Sequence, residues 1–286
     1  MSAQALRSYE QDPELLGRVL ALADTAFPGI MARALRIRLP GGHWRDRSVP
    51  FVVERERELV AHVGVLSLEM VVAGERCRVG GIHAVCTHPA ERGRGHFRAL
   101  MEEALAWCES RFPTLLLFTD WPSLYEPFGF RSVGEHRFRA SVRSAGGARA
   151  SRTLDLTRPR DLATLERLLE TRAPVSDVLG VVAEKAVFTF HCPERGLVHA
   201  PELPAIVWME LRGTTLTLHD VVAPRIPGLA EILDLIPAPV TEVEIAFAPD
   251  RLGVDAAAVA AAPELMARGP FAAENARFAV PPSARF

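Results

Sequence analysis

The sequence predicts an α/β (α+β) fold: a mixed, mostly antiparallel sheet flanked by helices. Three observations carry that reading. Hydrophobicity of period two runs through FVVERE (51–56), LVAHVGVLSLEMVV (59–72) and CRVGGIHAVCT (77–87), with tight turns at Arg57-Glu58 and Ala73-Gly74. The period then lengthens to that of a helix from about Arg94 to Ser110, with Phe97, Leu100, Met101, Leu105 and Cys108 on one apolar stripe. TLLLF (114–118) follows, continuously apolar, as a buried strand is.

Upstream, Asp12-Pro13-Glu14 reads as a helix start: an N-cap acid, proline at the first helical position, then a carboxylate near the positive end. Leu15, Leu16, Val19, Leu20 and Ala23 continue at helical spacing until Phe27-Pro28-Gly29 breaks the run. A second helix is expected over Ile30 to Arg38. LPGGHWRDRSVP is then a loop, and its GGHWRDR stretch is a candidate for substrate contacts. Downstream, PSLYEPFGF forms a short helix and turn, and residues 131–143 a hairpin.

The small, glycine-rich RSAGGARAS marks a linker at 144–151, dividing 1–143 from 152–286. Similar elements recur beyond it. RTLDL is a strand and DLATLERLLETR a helix. AIVWMEL and TLTLHDVVA pair across Arg212-Gly213. GLAEILDLI is a helix, VTEVEIAFA a strand, and the tail from Leu265 adds one or two more short strands. The similar order suggests a duplicated fold.

A chain of 286 residues has room for two cores. Its net charge of -2 lacks the basic excess of a nucleic-acid binder. Cys77, Cys86, Cys108 and Cys192 form no CxxC pair and no zinc spacing, so they read as free thiols in a reducing cytoplasm, with no metal. The first residues lack a signal-peptide core, and no apolar run reaches membrane length.

The chemistry concentrates at THPAERGRGHFRALMEE (87–103). Pro89 has no N–H to give and ends its strand. Arg92-Gly93-Arg94-Gly95 then opens a helix whose first turn has unpaired N–H groups and positive dipole. Glycine lets backbone approach a ligand, and arginine adds forked donors. A pyrophosphate fits such a place. So does nothing but water: on the short motif alone, cradle and solvated basic turn stand level.

Two motifs together tip that balance. Arg92-Gly93-Arg94-Gly95-His96-Phe97 follows Gln/Arg-x-x-Gly-x-Gly/Ala at its first and fourth positions, with Phe97 in place of the small sixth residue. Tyr125, Gly129 and Phe130 match Tyr-x-x-x-Gly-Phe. Over residues 8 to 143 the chain resembles the GCN5-related N-acetyltransferase (GNAT) superfamily, and its tandem look resembles the enhanced intracellular survival type, which also carries a bulky residue at the sixth position. The resemblance implies the acyl-CoA N-acyltransferase fold, followed by a second, degenerate GNAT-like domain. It implies acetyl-CoA as co-substrate, with the strand at Val85, Cys86 and Thr87 pairing its pantetheine arm and the N–H groups of Gly93, Arg94, Gly95, His96 and Phe97, beside Arg92, holding the pyrophosphate. Phe97 is expected to face the core. Tyr125 takes the position of the acid that protonates the CoA thiolate, and a phenol stays protonated at neutral pH.

The base is more open. His83 has a suitable ordinary pKa, and strand alternation puts it on one face with Val85 and Thr87. A structural histidine is an equal reading of it. His43, Asp46, His62 and Glu69 are weaker candidates, and Asp120-Trp121 is expected near the cleft. In the enhanced intracellular survival type a terminal phenylalanine carboxylate reaches the active site, and this sequence ends in Phe286. His219 and Pro224 echo His83 and Pro89, but Arg-x-x-Gly-x-Gly is gone, so the second half is expected to bind no acetyl-CoA. It would complete the substrate pocket, support the first half or form a contact between copies. Trp208 and Met209 read as core. The expected activity is acetyl transfer to a small-molecule or peptide primary amine. A longer acyl donor, or a silent CoA-binding sensor or scaffold, are the alternatives.

Overall fold

The computed structural model describes residues 8–37, 39–182, 184–193, 195–262 and 264–286. Its elements are α1 (Leu15–Ala26), α2 (Ile30–Arg36), α3 (Trp44–Arg47), β1 (Ser48–Arg55), β2 (Glu58–Val72), β3 (Glu75–Thr87), α4 (His96–Cys108), β4 (Leu115–Phe118), β5 (Arg131–Val133), β6 (His136–Ser144), β7 (Arg152–Thr153), α5 (Pro159–Thr171), β8 (Leu179–Val181), α6 (Lys185–His191), β9 (Leu197–Ala200), β10 (Ala205–Arg212), β11 (Thr215–Val222), α7 (Leu229–Leu233), β12 (Val240–Ile245), β13 (Ala257–Ala260) and β14 (Leu265–Arg268). The period-two segments are β1, β2 and β3, and the helical stripe is α4. Leu100, Met101, Ala104, Leu105 and Cys108 are its buried residues, and burying a side chain such as Leu100 or Met101 contributes about 1.5–3 kcal/mol.

Two mixed sheets result. The first has the order β1-β2-β3-β4-β14-β5, with β8 pairing the far end of β2; the second has β13-β6-β12-β11-β10-β9-β7. Neighbours are antiparallel except β3 with β4 and β11 with β12. One face of the first sheet packs on α4 through Val63, Val65, Ile82, Leu115 and Leu117. On its other face, Leu66, Leu68 and Leu116 meet the C-terminal segment through Phe271, Phe278 and Val280.

The sheets do not divide at the glycine-rich segment. β6 leaves the first half to pair with β12 and β13, while β14 returns from the second half to lie between β4 and β5. The expected 131–143 hairpin therefore does not form. β5 and β6 are consecutive but sit in different sheets, and buried Glu135 between them accepts from Val280 N–H at 2.9 Å. An alternating pattern marks a strand but not its partner.

Smaller differences have local causes. Asp12 accepts from Glu14 N–H at 3.1 Å in a turn, and α1 starts later, at Leu15. α2 ends at Arg36; Arg38 lies outside the described residues. Asp24 Oδ1 takes the N–H groups of Gly29 (3.0 Å) and Met31 (3.2 Å), capping α2 from the preceding helix. The expected loop before the sheet holds α3 and the start of β1.

Candidate active site

β3 and β4 pair only at Gly80↔Leu115 and Gly81↔Leu116. They then part, and the edge of β3 from Ile82 to Thr87 on that side has no strand beside it among the described residues. A β-bulge lies at the parting. Opposite β2, His62 pairs with Cys86 but Gly64 with His83, and Ala84 takes a left-handed φ of 48°. His62 Nδ1–H donates to the Ala84 carbonyl at 2.8 Å and fixes the bulge.

The bulge corrects one expectation. Alternation placed His83 and Val85 on one face. The extra residue puts Ile82 and Val85 against the α4 core and His83 on the opposite side with Ser48.

At the end of the free edge, Gly93 (φ 77°) and Gly95 (φ 83°) turn the chain into α4. Space is open around both, with nothing within 4 Å of a Cβ built on either. The first backbone bond of α4 runs from Ala99 N–H to Gly95 at 3.1 Å, and no acceptor among the described residues takes the N–H groups of residues 93–98. Such an array at a helix start fits a pyrophosphate. Arg94 and His96 both lie 3.3 Å from Glu91, and Arg92 Nε reaches the Thr87 carbonyl at 3.4 Å, so the side chains brace the turn.

Phe97 points inward. Its ring meets Tyr125 edge-on at 5.7 Å and Phe128 at 5.6 Å. The motif's odd residue thereby sits between the glycine turn and Tyr125. Tyr125 is buried in the α4 core, and burial pushes its phenol up to about 12, keeping it protonated at neutral pH. Its hydroxyl has no hydrogen-bond partner among the described residues.

His83 lies apart from Tyr125, in a cavity on the other face of the sheet. This cavity holds about 560 Å³ of space, its open mouth included. Ser48 Oγ and His83 Nε2 are 2.8 Å apart, Trp44 stacks on the His83 ring at 5.1 Å, and His62 lies edge-on at 6.3 Å. Gly64 makes room for it: a Cβ there would meet His83 Nε2 at 2.4 Å. Burial, reinforced by His62, pulls His83 down to about 3, and burial pulls His62 to about 4. Both rings are neutral at pH 7. A base so weak can pass a proton on but cannot hold one.

Tyr9, Trp44 and Ser48 also line this cavity, and Phe190 and Phe286 reach it from the second half. The Phe286 ring packs over Gly81, where a Cβ would meet it at 2.6 Å, and against Phe118 at 5.3 Å. Glu135 holds the adjoining Arg285 at 2.9 Å, and Asp220 accepts from Ser283. Sequence reasoning missed Tyr9, Ser48 and Phe190, which carry no motif; only the apolar spacing of α1 hinted that a wall stood there. Of the weaker candidates, His43 lines an adjoining cavity behind Trp44. Asp46 lies 3.8 Å from Arg45, Glu69 pairs with Arg78 at 3.0 Å on the surface, and Asp120 and Trp121 are exposed.

Residues 14–133 match the model of the acetyltransferase (GNAT) domain. This part of the chain matches a GNAT acetyltransferase domain, and the match supports a transferase of the N-acetyltransferase class, a family whose co-substrate is acetyl-CoA. The fold of the wider chain is similar to three solved structures. Eis1 from Mycobacterium abscessus is 17% identical, with a TM-score of 0.56 over 93% of this chain and 72% of that one. A conserved protein of unknown function from Enterococcus faecalis V583 is 16% identical, with a TM-score of 0.58 over 91% and 71%. A GCN5-related N-acetyltransferase from Kribbella flavida is 19% identical, with a TM-score of 0.53 over 91% and 69%. No curated protein matches the chain. Among the described residues, no helix is long and apolar enough to cross a membrane, and no group of three or more His, Cys, Asp or Glu side chains could hold a metal ion.

Proposed function

We propose that the protein transfers an acetyl group from acetyl-CoA to a primary amine by direct attack. One observation carries this reading: the unpaired edge of β3 runs straight into the unsatisfied N–H groups of residues 93–98. An extended arm can add to the edge as a strand does, and its pyrophosphate then meets the helix start. Val85, which has no residue opposite it in β2, offers its N–H to the oxyanion that forms as the amine attacks. Tyr125 gives its proton to the departing thiolate; burial keeps that proton in place until then. His83 and Ser48, on the cavity side, pass on the proton that the amine sheds.

The test is steady-state turnover of acetyl-CoA with a panel of primary amines, comparing wild type with Tyr125→Phe. The variant is expected to lose about 10²–10⁴-fold in kcat while binding CoA as before. Equal turnover by the variant would remove Tyr125 from the mechanism. CoA binding without acetylation of any amine would leave a CoA-binding scaffold instead.

A further inference from the structure

We propose that the cavity beside His83 selects, as acetyl acceptor, an amine with an apolar aryl or alkyl body and a single amino group, and rejects polycationic amines. This rests on the transfer reaction proposed above and names its substrate class.

The walls decide the matter. α2 buries none of its residues; Ile30 and Ala34 face the cavity instead, opposite Leu16 and Leu20 of α1. Trp44 and Phe190 meet edge-on at 5.5 Å, and with Trp44 stacked on His83 they form an aromatic wall. No Asp or Glu lines this cavity or the adjoining one of about 540 Å³ behind Trp44. The charged side chains that line or cover these walls are positive. Arg45 lines the second cavity, and the Arg33 guanidinium lies 4.5 Å over the Phe190 ring. A second ammonium group entering here would lose its water and find no side-chain carboxylate in either lining to repay it, a cost of several kcal/mol.

The polar atoms suit one neutral amine. His62 Nδ1 must carry the proton, because the Ala84 carbonyl can only accept. In the neutral ring Nε2 is then a bare acceptor, and it is buried with no partner. Tyr9, Ser48 and His83 supply further polar atoms to the wall. Hydrogen bonds for one amino group are present, and the other lining side chains are aliphatic or aromatic.

The test uses the full chain with saturating acetyl-CoA and two amine sets: the primary alkylamines from propyl to hexyl with phenethylamine, and spermidine with kanamycin. kcat/KM should rise about fourfold per added methylene, the worth of one buried methylene, and phenethylamine should exceed both polycations at least tenfold. Ala34→Asp should cut the hexylamine kcat/KM at least tenfold while leaving CoA affinity unchanged. A flat alkyl series, or a polycation acetylated better than phenethylamine, would overturn the proposal and leave the transfer reaction standing. If no amine is acetylated, the transfer reaction itself fails. The pocket is then judged by thermal shift, where stabilisation by hexylamine over spermidine supports it and the reverse overturns it.

Discussion

The two halves each contain a parallel strand pair whose first strand is followed by a turn and a helix. They treat the backbone there in opposite ways. In the first half β3 and β4 share two paired positions, and Gly95 begins α4 with φ 83° and a row of unsatisfied N–H groups. In the second half β11 and β12 stay paired over four positions, Thr215↔Glu242 to Leu218↔Ile245. The start of α7 is closed from within: Gly228 N–H donates to Glu231 Oε2 at 2.9 Å, Leu229 N–H donates to the Leu252 carbonyl at 2.8 Å, and Arg225 pairs with Glu231 at 3.0 Å. A carboxylate of the chain itself sits where the first half leaves room for an outside anion. Unsatisfied donors are costly to keep, so the longer open row in the first half supports the ligand site proposed there.

The largest expected effect tests the second half as a scaffold. Arg172 and Asp220 are buried and joined at 2.8 Å, and Ser283 on the segment leading to Phe286 donates to the same carboxylate. Asp220→Ala strands the guanidinium and should cost about 3–5 kcal/mol in urea unfolding, with a raised KM for the amine as Phe286 loosens. Unchanged stability would show that the segment is held by its apolar contacts alone.

Next comes the cradle. Gly95→Glu puts a Cβ at a left-handed φ and a like charge beside the pyrophosphate. Losing one or two charge-assisted bonds of about 1.5–3 kcal/mol each should weaken CoA binding about 100-fold by calorimetry. Gly228→Glu, at an ordinary φ of -67° in the second half, should leave CoA affinity as it was. Equal losses at both positions would break the comparison.

The histidines sharpen it further. His83 is held near 3 in the folded chain and ionises near 6.5 unfolded. Between those values the unfolded chain binds a proton that the folded one refuses, so stability is full above about pH 6.5 and falls as pH drops toward 3. His219 lies tilted against Trp208 at 5.1 Å, where His83 stacks on Trp44, but is only half-buried and less strongly lowered. His83→Gln should therefore flatten the loss of stability between pH 7 and pH 5 more than His219→Gln does, read from denaturant midpoints. The reverse order would mean that the buried ring is not what acid attacks.

The smallest effect is Glu231→Gln. Weakening one exposed cap should cost under about 1 kcal/mol, with CoA still bound once per chain. A second CoA bound by this variant would show that the carboxylate alone had closed the second site.

Local pattern was enough for much of this. Apolar period located β1 to β4 and α4, because one face of each must leave water wherever the element ends up. The cradle was legible because Gly93 and Gly95 declare a backbone that other residues resist, and the inward turn of Phe97 followed from its size. Contacts between distant segments were not legible. Nothing in HRFRASVRS says that β6 joins the second sheet, nor in LMAR that β14 completes the first, since a strand's hydrogen bonds are the same whatever its partner. The bulge at Ala84 lacks a glycine to announce it, yet it moves His83 to the opposite face. Tyr9, Ser48, Phe190 and Phe286 lie far apart in sequence and carry no shared motif; only packing brings them around one cavity. The sequence by itself determined the open glycine turn at which a phosphate is proposed to sit, through conformations encoded residue by residue. The tertiary structure alone decided the walls of the cavity proposed for the acceptor, because they are built from side chains that meet only after folding.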